Sequence, residues 1–202
     1  MVGRREDGHH LLDTIMLPVS LYDEIEIRKS KAKAKSAGAR IKISCAHPLV
    51  PRGEQNIVFG AARLLLPRLD ERLRIHIHIR KRIPVGAGLG GGSTDAAATL
   101  VGLNRLFNLG LSDAHLEKLA LSLGADVPFF IRARPARARG IGERGRRQEI
   151  VDVPAERDRD NDQDDHGDRG FGPALREDFA KQMVGPVPGL QSNDSFLHWR
   201  TM

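Results

Sequence analysis

The chain has 202 residues, with 32 Lys and Arg against 26 Asp and Glu, a net charge of +6 and a pI near 9.9. That length supports one ordinary domain, or one and a fragment, with room for a core. No apolar run reaches the roughly 18 residues of a membrane-spanning helix, and the charged start (Arg4, Arg5, Glu6, Asp7) lacks the apolar segment of a signal peptide. A single cysteine, Cys45, excludes an internal disulfide and suits a reducing cytoplasm. The basic balance fits nucleic acid or small phosphate-bearing substrates equally well. With aromatics at 4% and no nucleic-acid motif, base-stacking platforms are scarce, so the expectation is a small-molecule partner, no nucleic acid and no membrane.

Residues 3–10 read as a polar turn around Asp7-Gly8. Strands are predicted over 11–17 and 21–28; in the second, Leu21, Asp23, Ile25 and Ile27 share one face. A Lys/Ala/Ser connector over 29–39 leads to an alternating strand, Arg40 to Cys45, on which Cys45 is a small buried side chain rather than a nucleophile. Asn56 is a good cap for a helix over 57–66, which Pro67 stops. In the next strand Ile75, Ile77 and Ile79 face one way and His76 and His78 the other, the pattern of a half-exposed, antiparallel strand. The two histidines have a spacing that could serve a metal, but with no carboxylate or Cys nearby a solvated strand face is the simpler reading. A helix is predicted from Ala96 to Phe107, with Leu100, Leu103 and Phe107 on one stripe. Ser112 caps another, with Leu116, Leu119, Ala120 and Leu123 inward and Gly124 closing it. Antiparallel strands interleaved with helices imply an α+β fold, helices over one face of a sheet.

The chemistry centres on Pro84-Val85-Gly86-Ala87-Gly88-Leu89-Gly90-Gly91-Gly92-Ser93-Thr94. Glycine-rich backbone can take φ > 0 and bring its N–H groups close to a ligand. Ser93, Thr94 and Asp95 are N-cap types, and a glycine loop feeding a helix N-terminus is an anion site, because unpaired amides and the helix dipole both point at it. The inference is a bound phosphate. Gly86, Gly88 and Gly91 also satisfy the dinucleotide fingerprint, but the alternating strand before them is unlike the continuous apolar strand of that fold. A Walker A loop needs a Lys that is absent here. A plain flexible linker does not explain a helix starting at once.

The run resembles the glycine-rich motif of the GHMP kinases, which include galactokinase, homoserine kinase and mevalonate kinase. Further motifs are similar to one branch, the kinases of diphosphocytidyl-methylerythritol: Arg5-x-Asp7-Gly8-x-His10, Asn56-Ile57-Val58, Lys81-Arg82-Ile83-Pro84, Leu103-Asn104, Gly124-Ala125-Asp126-Val127-Pro128-Phe129 and Gly140-Ile141-Gly142-Glu143. The resemblance implies a GHMP-kinase N-terminal domain (ribosomal protein S5 domain 2-like), with a mixed or antiparallel sheet. It implies ATP and Mg²⁺ as cofactors and transfer of phosphate to an alcohol of that substrate, by a cytoplasmic monomer or homodimer. It makes Asp126 the catalytic base, which by position alone would be a turn residue. It puts ATP on the 84–94 backbone, with Asn56 and Lys81 near the adenine and Ser93 touching Mg²⁺ through the nucleotide. Arg5, His9 and His10 fall on the substrate side, His9 where the family usually has a stacking Tyr. Two features of the family are missing: a catalytic Lys in a strand ahead of the Arg5–His10 turn, and the second glycine motif of its C-terminal domain.

The resemblance covers residues 3–143, giving a domain over 1–143. Residues 144–172, dominated by Asp, Arg and Gly, cannot bury enough apolar surface to offset chain entropy; they are expected to be disordered or the product of a shifted reading frame. Residues 173–202 carry weak echoes of the missing domain, such as Ser192-Asn193-Asp194.

Overall fold

The computed structural model describes residues 3–4, 10–32, 39–141, 149–152 and 196–201. In chain order the elements are β1 (Gly3–Arg4), β2 (His10–Met16), β3 (Asp23–Lys31), β4 (Ile41–Cys45), α1 (Ile57–Leu65), β5 (Leu73–Arg80), α2 (Gly91–Leu106), α3 (Asp113–Ala120), α4 (Val127–Arg132), β6 (Ala136–Ile141), β7 (Glu149–Asp152) and β8 (Phe196–Thr201). A short 3₁₀ turn, Leu66–Arg68, follows α1 where Pro67 removes a backbone donor. The strands form two four-stranded sheets, β1-β2-β6-β7 and β4-β5-β3-β8.

The first sheet is antiparallel throughout. The second is mixed: β5 runs antiparallel to β3, with Ile27 opposite Ile77, but parallel to β4, with Ile43 beside Ile77. The purely antiparallel setting expected for β5 is therefore corrected. The segment between β4 and β5 contains α1, and a helical crossover returns the chain parallel to its start. The alternation survives because, among the described residues, the helices pack on one face of the sheet. Ile25, Ile27, Ile41, Ile43, Cys45, Ile75, Ile77 and Ile79 are buried on that face and share one core with Val58, Ala61 and Leu65 of α1 and Leu100 and Leu103 of α2. The run Ala96-Ala97-Ala98 is wholly buried, and its small side chains let backbones approach closely.

Asn56 caps α1 as read, accepting from the Val58 N–H at 2.9 Å, and Ser112 caps α3. α3 ends at Ala120, and Gly124 donates back to the Ala120 carbonyl at 3.3 Å. The Leu103-Asn104 motif has a structural reason: the Asn104 amide exchanges two hydrogen bonds with the Leu111 backbone, at 2.9 and 3.0 Å, and staples the turn between α2 and α3. β7 and β8 lie beyond residue 143 and extend the two sheets, pairing with β6 and β3. The remainder of 142–195 lies outside the described residues.

Candidate active site

Helix α2 begins five residues earlier than its apolar stripe indicates. It starts at Gly91 with Gly90 as a left-handed cap (φ +72°) that offers no side-chain bond. Ser93, Thr94 and Asp95 thus lie within the helix, in its first two turns, rather than at its cap. The Thr94 N–H and hydroxyl both donate to the Gly90 carbonyl, at 2.9 and 2.8 Å. That amide bond opens the helical ladder, so the N–H groups of Gly91, Gly92 and Ser93 precede it and project from the positive end of a 16-residue helix.

The five glycines divide into two kinds. Gly86 (φ +78°) and Gly88 (φ +74°) need left-handed backbone, and a Cβ on either would meet no atom within 4 Å. The loop they shape, 84–89, is exposed. Gly90, Gly91 and Gly92 each face a different neighbour. A Cβ would fall 2.9 Å from Phe130 of α4 at Gly90, 3.0 Å from Ile83 and 3.1 Å from the Lys81 Nζ at Gly91, and 3.7 Å from Ile57 of α1 at Gly92. Three elements therefore converge on the start of α2: the stem after β5, the beginning of α1 beside Asn56, and α4 one turn beyond Asp126.

Beneath the loop lies a buried ionic triad. The Asp23 Oδ1 accepts from the Arg82 and Ile83 backbone N–H groups at 2.6 and 2.9 Å. Its Oδ2 accepts from the Lys81 ammonium, which also donates to the Asp95 Oδ2 at 3.0 Å. Asp23 is fully buried, and the side chains of Lys81 and Asp95 are 5% and 4% exposed. Burial pushes the Lys81 pKa down, but Asp95 and Asp23 more than offset it and hold the ammonium above the ordinary lysine value. Lys81, expected near adenine, thus has its charge matched within the protein. Asp23 and Asp95 were missed as functional candidates; an Asp on the inward face of a strictly alternating strand was the signal.

Asn56 is buried, with its amide donating to the Pro51 carbonyl at 2.6 Å. Asp126 precedes α4, exposed and without a side-chain capping bond. His10 is the first residue of β2, opposite Arg4; Arg5 and His9 lie outside the described residues. On the uncovered sheet face the Ser44 hydroxyl sits between His76 Nε2 (2.9 Å) and His78 Nδ1 (2.8 Å). Among the described residues no group of three or more His, Cys, Asp or Glu could hold a metal.

Residues 56–134 match the family model of the GHMP kinases N terminal domain, a span containing the loop, Lys81 and Asp126. Over those residues the chain is similar to the GHMP kinases N terminal domain. Among its relatives, 4-diphosphocytidyl-2-C-methyl-D-erythritol kinase of Citrifermentans bemidjiense is 49% identical over 144 residues, 71% of this chain and 49% of that protein. The enzyme of the same name from Symbiobacterium thermophilum is 46% identical over the same shares. A crystal structure of 4-(cytidine 5'-diphospho)-2C-methyl-D-erythritol kinase superposes with a TM-score of 0.57 at 38% identity, covering 75% of this chain and 50% of that one. Homoserine kinase from Cytophaga hutchinsonii (TM-score 0.51, 17% identity, 71% and 52% covered) shares the fold. The chain spans about half the length of the curated relatives it matches. Among the described residues, no helix is long and apolar enough to cross a membrane.

Proposed function

We propose that this chain supplies the ATP-binding half of a small-molecule kinase that phosphorylates the 2-hydroxyl of 4-diphosphocytidyl-2-C-methyl-D-erythritol, a step of non-mevalonate isoprenoid synthesis. The observation that carries the reading is the open loop at Gly86 and Gly88 set against the leading amides of α2. That cradle would hold phosphate oxygens by backbone N–H groups, as helix N-termini do. Among the described residues no atom lies within 4 Å of a Cβ built at Gly86 or Gly88, which leaves room beside the loop for phosphate groups. Ser93, half-buried in the first turn, is the hydroxyl available to a nucleotide-borne Mg²⁺; that ion would neutralise charge on the transferred group.

Phosphoryl transfer asks the protein chiefly to position its reactants. The cradle fixes the nucleotide, with Asn56 and Lys81 bordering it. Asp126 takes the proton of the substrate alcohol as its oxygen bonds to the γ-phosphorus and ADP departs. Arg5, His9 and His10 hold the cytidylyl end of the substrate. A monomer or homodimer in the cytoplasm suits this role. Because the chain spans about half of its relatives, a second reading is a module that binds nucleotide without turnover, and another GHMP acceptor is a third. Calorimetry with a non-hydrolysable ATP analogue followed by an ADP-release assay with this alcohol, homoserine and mevalonate separates them. Binding with release only on the first alcohol supports the kinase; binding alone supports the module, and no binding removes both.

A further inference from the structure

The glycine loop leaves the sheet at Ile83 and enters α2 at Gly91, and both of its ends rest on the same three buried side chains. At the first stem, one oxygen of Asp23 accepts two successive backbone N–H groups, those of Arg82 and Ile83. At the second, Asp95 sits on the first turns of α2. Lys81 joins them, its ammonium donating one hydrogen bond to Asp23 and another to Asp95. Its Nζ and the Ile83 side chain lie so close beneath Gly91 that no Cβ would fit there without a shift. The stems are therefore tied through charge as well as packing, by a unit with two carboxylates and one ammonium.

We infer that Asp23 and Asp95 are positioning residues for the phosphate loop. Acting through Lys81, they fix the distance and angle between its two ends before any ligand arrives. The inference deepens the kinase reading and rests on it for the identity of the ligand. A buried carboxylate whose two oxygens serve different partners has little freedom to rotate, and each bond to an ionised group is stronger than a neutral one. A loop that depends on left-handed glycines at 86 and 88 gains little order from its own side chains, since Val85 and Leu89 are both exposed. Order must come from the stems, and pre-ordering lowers the cost of binding. The triad also accounts for a basic side chain buried in front of a helix N-terminus, where a lone cation would be unfavourable: Asp23 and Asp95 both pair with it.

The test uses the whole chain, ¹⁵N-labelled and without ligand. Asp23→Asn keeps the shape and removes the charge. The readout is amide exchange at Thr94, whose N–H bonds Gly90 at the far stem, against Ile77 in the centre of β5 as the reference for global opening. At least tenfold faster exchange at Thr94 with Ile77 changed less than twofold supports the tie. Equal acceleration at both sites, or none at Thr94, overturns it. Should Asp23→Asn not fold, Asp95→Asn gives the same comparison from the other stem. A second arm titrates the non-hydrolysable ATP analogue, with affinity expected to fall about tenfold in a folded variant; unchanged affinity counts against the inference. If the wild-type chain binds no analogue, the nucleotide reading fails by itself, and the exchange comparison still decides whether the triad holds the loop.

Discussion

Gly90 and Phe130 meet so closely that a Cβ on the glycine would lie 2.9 Å from the ring's Cζ. This contact joins the end of the glycine loop to α4, the helix that Asp126 precedes. Glycine at 90 is required twice over, by φ of +72° and by the ring. At 88 it is required only by φ, since nothing approaches within 4 Å. Gly88→Ala should therefore cost about 1–2 kcal/mol, the penalty of left-handed backbone for an L-residue. Gly90→Ala should cost about 1–3 kcal/mol more from overpacking. Urea unfolding of the two variants checks the order, and equal midpoints would show that the ring yields freely.

Much of this arrangement was legible in the sequence. Alternation placed β3, β4 and β5 and their inward isoleucines, and cap chemistry placed the starts of α1 and α3. The beginning of α2 was misjudged because Ser93, Thr94 and Asp95 are cap-type residues by composition, whereas the cap is Gly90, a left-handed glycine packed against Phe130 of α4. No local pattern shows that Lys81 and Asp23, 58 residues apart, form a pair. Long-range charge pairing has no periodicity to betray it. The parallel pairing of β4 with β5 was hidden for a similar reason: alternation reports which face is covered, not strand direction.

The triad predicts an alkaline limit to stability. The native pKa of Lys81 lies above the ordinary 10.5 because Asp95 and Asp23 outweigh the opposing effect of burial. The unfolded chain gives up this proton first. The stabilisation is therefore complete below about 10.5 and is lost as pH rises through the native value. Unfolding midpoints measured from neutral pH upward should decline across that window. Lys81→Met, although less stable throughout, should decline less steeply; an unchanged slope would mean that other groups set the limit.

An acid limb is expected from the uncovered sheet face. Burial chiefly, then the charges of Lys42, His78 and Arg28, lower the His76 pKa below the ordinary 6.5. Here the unfolded chain binds the proton more readily. Full stability from this site is present above 6.5 and falls as pH drops from there to the native pKa. His76→Gln should shrink the difference in unfolding midpoint between neutral pH and a pH one unit below 6.5.

Asp126 provides the sharpest separation of folding from chemistry. The residue is exposed and its side chain makes no capping bond to α4, so exchanging its carboxylate for an amide removes no buried contact. Asp126→Asn should leave the unfolding midpoint within about 0.5 kcal/mol of wild type, as surface substitutions usually do. Affinity for the ATP analogue should be retained if, as proposed, the nucleotide is held by the amides of the loop and of α2. If the carboxylate takes the alcohol's proton, ADP release should fall by about 10²–10⁴, the usual contribution of a positioned base. Equal rates for Asp126→Asn and wild type, at equal nucleotide affinity, would leave the proton to another group, and the candidate site would then lack its base.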